Sequence, residues 1–256
     1  MDLHLKGKKA IVTGATRGIG RAIAETLAAE GADVAICARN QLQVNEAVES
    51  LEKKGVRAFG GTVDIADAEG FKTWIASAGQ LLGGIDILVC NASALQNGNT
   101  EEAWKASFEI DVLGAVRATD AAMPFLEKAA EQHGDAAVII ISSISAAETT
   151  YGNSYGALKA AQIHLAKGLA KEKAARHVRV NTISPGTVYF KGGVWDMIEQ
   201  HMPDTFKDAM RRNPTGRMAT PQDIANAAAF LASPVSSFTT GINMVVDGAM
   251  TSRVNF

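Results

Sequence analysis

Cysteine is scarce: Cys37 and Cys90 are the only two in 256 residues, and both lie inside apolar runs. No CxxC pair or Cys/His cluster is present, so neither a disulfide framework nor a zinc site is expected; what remains is buried thiols in a reducing, cytoplasmic compartment. Neither sign of charge dominates. Acidic residues number 27 and basic ones 25, a formal charge of -2, which gives no electrostatic ground for a nucleic-acid or anionic-membrane partner. No apolar run approaches the roughly 18 residues that a membrane span needs. Met1 to Lys9 is polar and charged, without the apolar centre of a signal segment. Internal repeats, low-complexity tracts and Pro/Ser-rich linkers are also missing, so residues 1–256 read as one domain. At 47% hydrophobic residues, the chain has ample material for a core.

Short apolar runs alternate with longer segments of helical period. Lys9–Thr13, Asp33–Ala38, Val56–Asp64, Ile85–Asn91, Ala137–Ser142, Val178–Ser184 and Gly241–Val246 read as strands. Most show no polar alternation, which is the mark of strands covered on both faces in a parallel sheet. Gly20–Glu30, Gln41–Lys54, Glu69–Leu82, Glu101–Glu131, Tyr155–Arg176 and Pro221–Ala232 carry apolar residues at three- and four-residue spacings and read as helices. The alternation predicts an α/β, doubly wound parallel sheet of the Rossmann type, with helices on both faces. Pro185 to Pro221 lacks clear strand character, and a segment of that length inside a compact domain is usually functional.

The first strand runs straight into Thr13-Gly14-Ala15-Thr16-Arg17-Gly18-Ile19-Gly20 and then a helix. A glycine-rich turn there lets backbone amides approach a pyrophosphate at the positive helix end. The spacing is G-xxx-G-x-G, which differs from the common GxGxxG fingerprint. The second strand ends in Ala38-Arg39-Asn40 with no carboxylate for a ribose 2′-hydroxyl. Arg39 there and Arg17 in the loop suit a 2′-phosphate, so the expected cofactor is NADP(H).

Further on, Ser142-Ser143-Ile144-Ser145 closes the fifth strand and Tyr155-Gly156-Ala157-Leu158-Lys159 opens a helix. Tyrosine and lysine four apart share one helical face. An ammonium beside a phenol favours the tyrosinate and brings its pKa, ordinarily about 10, toward the working range of an acid/base catalyst.

Together TGATRGIG, Asp64, Asn91-Ala92, Ser143, Tyr155xxxLys159 and Pro185-Gly186 resemble the short-chain dehydrogenase/reductase family over essentially the whole chain, in its 3-oxoacyl-carrier-protein reductase-like branch. The resemblance implies that Gly14, Gly18 and Gly20 line the pyrophosphate, with Ile19 toward the nicotinamide. Thr16, Arg17, Arg39 and Asn40 complete the cofactor's phosphate end. Asp64 and Ile65 would meet adenine, and Asn91 and Ala92 would flank the adenosine ribose. Tyr155 would be the general acid in carbonyl reduction, Ser143 would polarise the carbonyl, and Lys159 would bind nicotinamide-ribose hydroxyls. Pro185, Gly186 and Val188 would shape the nicotinamide pocket. No metal is implied.

Four departures from the family pattern stand out. Cys90-Asn91-Ala92-Ser93 replaces Asn-Asn-Ala-Gly. Ser143 to Tyr155 is one residue short, which keeps Ser142 as a rival. Val188-Tyr189-Phe190 stands where a cofactor-binding threonine is usual. Asp111 occupies the place of the catalytic Asn; ionised beside Lys159, it would raise the lysine pKa and offset its field at Tyr155. The alternative is an Asp111 that faces solvent or caps a neighbour.

Phe190, Trp195, Met197, Ile198, Met202, Phe206 and Met210 are either a mobile cover over an apolar substrate, within about residues 188–217, or the apolar faces of two short helices packed on the core. Substrate specificity is expected from Ser93–Asn99, Ala146–Ser154 and Val188–Arg217. The function expected is an NADP(H)-dependent enzyme interconverting an apolar ketone and a secondary alcohol. The alternatives are a non-catalytic NADP(H)-binding regulator and a 3-oxoacyl-carrier-protein reductase. By resemblance the chain forms a homotetramer, with a dimer next.

Overall fold

The structure is a computed structural model that describes residues 2–149 and 151–254. Seven strands form one parallel sheet: β1 (Lys9–Thr13), β2 (Asp33–Ala38), β3 (Ala58–Thr62), β4 (Ile87–Cys90), β5 (Ala136–Ile141), β6 (Val178–Pro185) and β7 (Asn243–Val246). Their order is β3-β2-β1-β4-β5-β6-β7, so the winding direction reverses between β1 and β4. Lys9 pairs with Asp33 on one side of β1, and Ala10 pairs with Ile87 on the other. The carboxyl ends of β1 and β4 therefore open a crevice, which is where open α/β sheets bind ligands.

Because side chains alternate along a strand, β1 feeds two cores. Ala10 and Val12 join Ile23, Leu51 and Ile224 from α1 (Gly18–Ala29), α2 (Gln41–Glu52) and α9 (Pro221–Ala232). Ile11 joins Phe71, Ala118 and Ala166 from α3 (Ala68–Leu82), α5 (Gly114–His133) and α6 (Ser154–Lys173) on the other face. The doubly wound sheet is as expected, and the apolar character of β1, β2, β4 and β5 follows from this two-sided cover. The expected strand Val56–Asp64 is shorter, at Ala58–Thr62, and beyond the buried Ala58 it is half-buried or exposed because it is an edge.

One expectation needs correction. The single helix Glu101–Glu131 is instead α4 (Glu101–Ser107), a π-helical turn (Phe108–Leu113) and α5, which runs on to His133. The π turn closes with the Gly114 amide on Glu109 O, one residue wider than an α turn. A side chain on Gly114 would place its Cβ 2.6 Å from Ile65 Cγ2, so the glycine lets the wider turn lie against its neighbour. Pro185 to Pro221, expected to lack strand character, holds the two short helices α7 (Val194–His201) and α8 (Pro203–Arg211) and is pinned by a parallel bridge between Val188 and Ala219.

At the amino end of β6, opposite the crevice, Arg179 is buried and fully engaged. Its guanidinium donates to Asp135 Oδ1 at 2.6 Å and Oδ2 at 2.9 Å, and also to Leu231 O, Ser233 O and Ser236 Oγ. Cutting one partner from such a pair leaves a buried charge alone, so Arg179→Ala is expected to lower stability by about 3–5 kcal/mol in a urea titration. Cys37 and Cys90 are both buried, and burial pushes each thiol up to about 12. Neither should react with a disulfide reagent in the native protein, and both should react after unfolding; fast labelling of the native chain would contradict this burial.

Candidate active site

The crevice floor is the turn between β1 and α1. Thr13 Oγ1 accepts from the Asn91 and Ala92 amides at 3.0 and 3.2 Å, tying the end of β1 to the end of β4. The Asn91 carboxamide donates to Thr13 O and Gly14 O, both at 3.0 Å. A Cβ on Gly20 would sit 2.3 Å from Asn91 Nδ2, so only glycine permits this tie. Asn91 thus fixes the glycine turn. Its side chain is directed into the protein. Helix α1 begins at Gly18 with no side-chain cap and no acidic residue in its first turn, which leaves its leading amides without a protein acceptor. That arrangement fits a phosphate.

At the end of β2, Arg39 and Asn40 are exposed. Asn40 Oδ1 accepts from the Gln43 amide at 3.1 Å and is the N-cap of α2. The Thr16 hydroxyl reaches Gln43 Oε1 at 3.4 Å, linking the glycine turn to α2. Asp64 Oδ1 accepts from the Ala66 amide, while Ile65 is buried against the helix that follows the π turn. Arg39 and Arg17 are both exposed, and neither forms an ion pair among the described residues.

On α6, the Asn153 cap takes the Gly156 amide at 2.8 Å; Tyr155 lies in this first turn, and Lys159, one turn on, meets the carboxyl end of β5. Lys159 is 2% exposed. Its ammonium donates to Ile141 O at 3.0 Å, lies 3.0 Å from Asp111 Oδ1 and stands 5.6 Å from the centre of the Tyr155 ring. Asp111 is equally buried, and its Oδ2 accepts from the Ala94 amide at 3.0 Å. The π turn therefore delivers the carboxylate inward, and the solvent-facing alternative for Asp111 is excluded. Ser142 Oγ donates to Lys159 O at 2.9 Å, anchoring α6 to the strand end. Ser143 Oγ accepts from the Ser145 amide at 3.1 Å and donates to no protein group among the described residues. Of the two serines, Ser143 keeps a free proton.

The family described as enoyl-(acyl carrier protein) reductase matches residues 14–251. Dehydrogenase/reductase SDR family member 4 of Homo sapiens is 36% identical over 98% of this chain and 90% of its own length. The chain belongs to the short-chain dehydrogenase/reductase family. Isoepoxydon dehydrogenase patN of Penicillium expansum is 36% identical over 96% of this chain and 95% of its own. Among solved structures, L-sorbose reductase from Gluconobacter frateurii, complexed with NADPH and L-sorbose, superposes with a TM-score of 0.90 at 33% identity, covering 99% of this chain and 100% of that one. A 7α-hydroxysteroid dehydrogenase complexed with NADH and 7-oxoglycochenodeoxycholic acid gives 0.89 at 31% identity, covering 99% and 98%. As short-chain dehydrogenases/reductases are, the chain is an oxidoreductase acting on CH–OH groups.

After β6, Gly186 donates to Val246 O at 3.0 Å, and the segment carrying Val188, Tyr189 and Phe190 turns back toward the glycine loop. The Phe190 ring lies between two glycines. A Cβ on Gly18 would come within 2.5 Å of it, and one on Gly193 within 2.8 Å. Gly18 also has a φ of +56°, so its identity is required twice over. Arg17 Nη1 reaches Gly192 O at 3.4 Å across the same gap. Helix α7 buries none of its residues, and Val194, Met197 and Met202 are exposed. Trp195 and Ile198 of α7 are half-buried.

Sequence reasoning missed two positions of this short-chain dehydrogenase/reductase. Tyr189 donates to Glu199 Oε2 at 2.6 Å and lies 3.1 Å from Asp196 Oδ1; these carboxylates, Glu199 foremost, hold the phenol proton and push its pKa above the ordinary range. The Gly192 amide, bonded to Asp196 at 2.8 Å, in turn holds that carboxyl below its usual range. Gln162, 1% exposed, donates to Asp111 O at 2.6 Å. Its signal was the stripe Tyr155, Lys159, Gln162 and Ala166, which shares one face of α6. Among the described residues, no group of three His, Cys, Asp or Glu side chains is arranged to hold a metal, and no helix is long and apolar enough to cross a membrane. Thr150, within one of the expected specificity loops, lies outside the described residues. Removing the hydroxyl in Tyr189→Phe should speed amide hydrogen exchange over residues 192–201 several-fold while β1 and β4 keep their protection; unchanged exchange would mean that this tie does not hold that segment.

Proposed function

We propose that the chain is an NADP(H)-dependent reductase of a small, apolar ketone, working reversibly as an alcohol dehydrogenase. The observation that carries the reading is the buried Lys159 ammonium held beneath Tyr155, next to a serine with an unused proton. NADP(H) is chosen over NAD(H) on three grounds. No carboxylate ends β2, Arg39 and Arg17 are exposed at the glycine turn, and the leading amides of α1 have no protein acceptor. Gly14, Gly18 and Gly20 with Ile19 and Thr16 would hold the pyrophosphate side. Asp64 and Ile65 would hold the adenine, and Pro185, Gly186 and Val188 the nicotinamide.

When bound, NADPH supplies a hydride from its nicotinamide ring to the carbonyl carbon. The chain's own groups manage the oxygen. Ser143 donates a hydrogen bond that polarises the carbonyl. Tyr155 gives its phenol proton to that oxygen as negative charge develops there, so ketone, hydride and proton add up to the alcohol. Lys159 stabilises the tyrosinate left behind, and its unshared N–H is placed for a ribose hydroxyl. The Asp111 carboxylate at 3.0 Å from that ammonium partly cancels its field at Tyr155. The segment from Tyr189 to Arg211 closes over the substrate and excludes water.

A carrier-protein substrate is disfavoured because Lys173, the basic residue best placed for docking, is already paired with Glu127 and Glu172 at 3.1 Å each. A homotetramer is supported by exposed apolar groups in two regions: Trp104 and Phe108 around the π turn, and Phe230, Val235, Phe238 and Ile242 near β7.

NADPH consumption followed by absorbance, with a panel of apolar ketones, tests the reading. Tyr155→Phe should lower kcat by roughly 10²- to 10⁴-fold while NADPH still binds. Tight NADPH binding with no turnover of any ketone would instead mark a non-catalytic regulator. The pH–rate curve of Asp111→Asn should be displaced from that of the wild type; superimposed curves would remove Asp111 from the catalytic set.

A further inference from the structure

Beside Asp111 lies a small cavity of about 10 Å³, bounded by Thr13, Asp111 and Gln162 and otherwise mainly by apolar side chains such as Ile65, Phe71 and Ala115. Two buried oxygens of the described protein lack a hydrogen-bond donor, Asp111 Oδ1 and Gln162 Oε1, and both residues bound this one cavity. Asp111 Oδ1 is near the Lys159 ammonium at 3.0 Å, but the contact is an ion pair off the direction of a hydrogen bond. The Gln162 amide cannot be turned to relieve its oxygen. Its Nε2 sits 2.6 Å from Asp111 O, and reversal would press two oxygens together. A cavity of this size admits about one water, and a water brings two protons where two acceptors have none.

We infer that a single buried water donates to Asp111 Oδ1 and Gln162 Oε1, and that Gln162 is a positioning residue that aims the Asp111 carboxylate at Lys159. The water stands on the interior side of Asp111. The backbone carbonyl of Asp111 accepts from the Gln162 amide at 2.6 Å. Lys159 is met by Ile141 O and by the Asp111 carboxylate, and the amide and the water hold the residue that carries this carboxylate. The kinetic half of this inference rests on the reductase reading, whereas the water does not.

A high-resolution crystal structure of the wild-type protein tests the first half. The expected result is a density peak within about 3.2 Å of both oxygens; an empty cavity overturns it, whatever the enzyme's substrate. Turnover of trifluoroacetophenone with NADPH tests the second. Gln162→Met should lower kcat roughly 10-fold, the low side of what acid–base groups contribute, and displace the pH–rate curve with little change in the KM for NADPH. In an Asp111→Asn background the same substitution should add nothing further. An equal loss in both backgrounds, or an unmoved pH–rate curve, overturns the positioning role. Should Gln162→Met fail to fold, Gln162→Glu keeps the side-chain size and the acceptor and carries the same comparison. A wild type that turns over no ketone at all fails the reductase reading and leaves the crystallographic result to judge the water.

Discussion

A charged lysine in a protein interior is tolerated only when its partners are fixed in advance, and Lys159 sets that constraint on everything around it. Its ammonium needs Ile141 O at the end of β5 and the Asp111 carboxylate at the π turn, each 3.0 Å away. Helix α6 must therefore lie against β5, where the Ser142 hydroxyl pins it by bonding to Lys159 O. The helix from Glu101 must widen at Phe108–Leu113 so that Asp111 arrives on the inner side. Separate elements of the chain converge on one ammonium. Loss of the pairing would leave two buried charges uncompensated, so the geometry is enforced by solvation and not by contact area.

Much of this was legible from the residues. Unbroken apolar runs fixed the covered strands, and the glycine turn before a helix located the crevice, because both are local patterns with a direct steric meaning. The Tyr155 and Lys159 pair was visible for the same reason, as a helical spacing. What stayed hidden was the use of each polar group. Asn91 and Asn40 look alike in sequence as crevice residues, yet one braces the glycine turn and the other caps α2. Ser142 and Ser143 are neighbours on opposite sides of a strand end, and only the packing of α6 tells which keeps its proton. The π turn left no mark on the periodicity, since one extra residue in a helix shifts a pattern without erasing it.

The segment after β6 is held on a different principle. Helix α7 has no buried residue of its own, and its place is set by polar ties: Tyr189 to Glu199, Gly192 to Asp196, and Arg17 across to Gly192. Directional bonds between exposed groups hold a position weakly and release it readily. Apolar contacts add to these ties: the Phe190 ring lies between Gly18 and Gly193, joining this segment to the glycine turn, and Tyr189 meets the edge of Phe206 with ring centres 6.0 Å apart.

The Arg179–Asp135 bridge lies at the amino ends of β5 and β6, while the serines and Pro185 lie at the carboxyl ends of the same two strands. Each strand thus has an anchoring end and a reacting end, separated by its own length. Variation confined to the loops beyond Ile141 and Pro185 leaves the anchor untouched. A scaffold divided in this way can be reshaped for new substrates by altering one rim, and the same division tells a protein engineer which rim to leave alone.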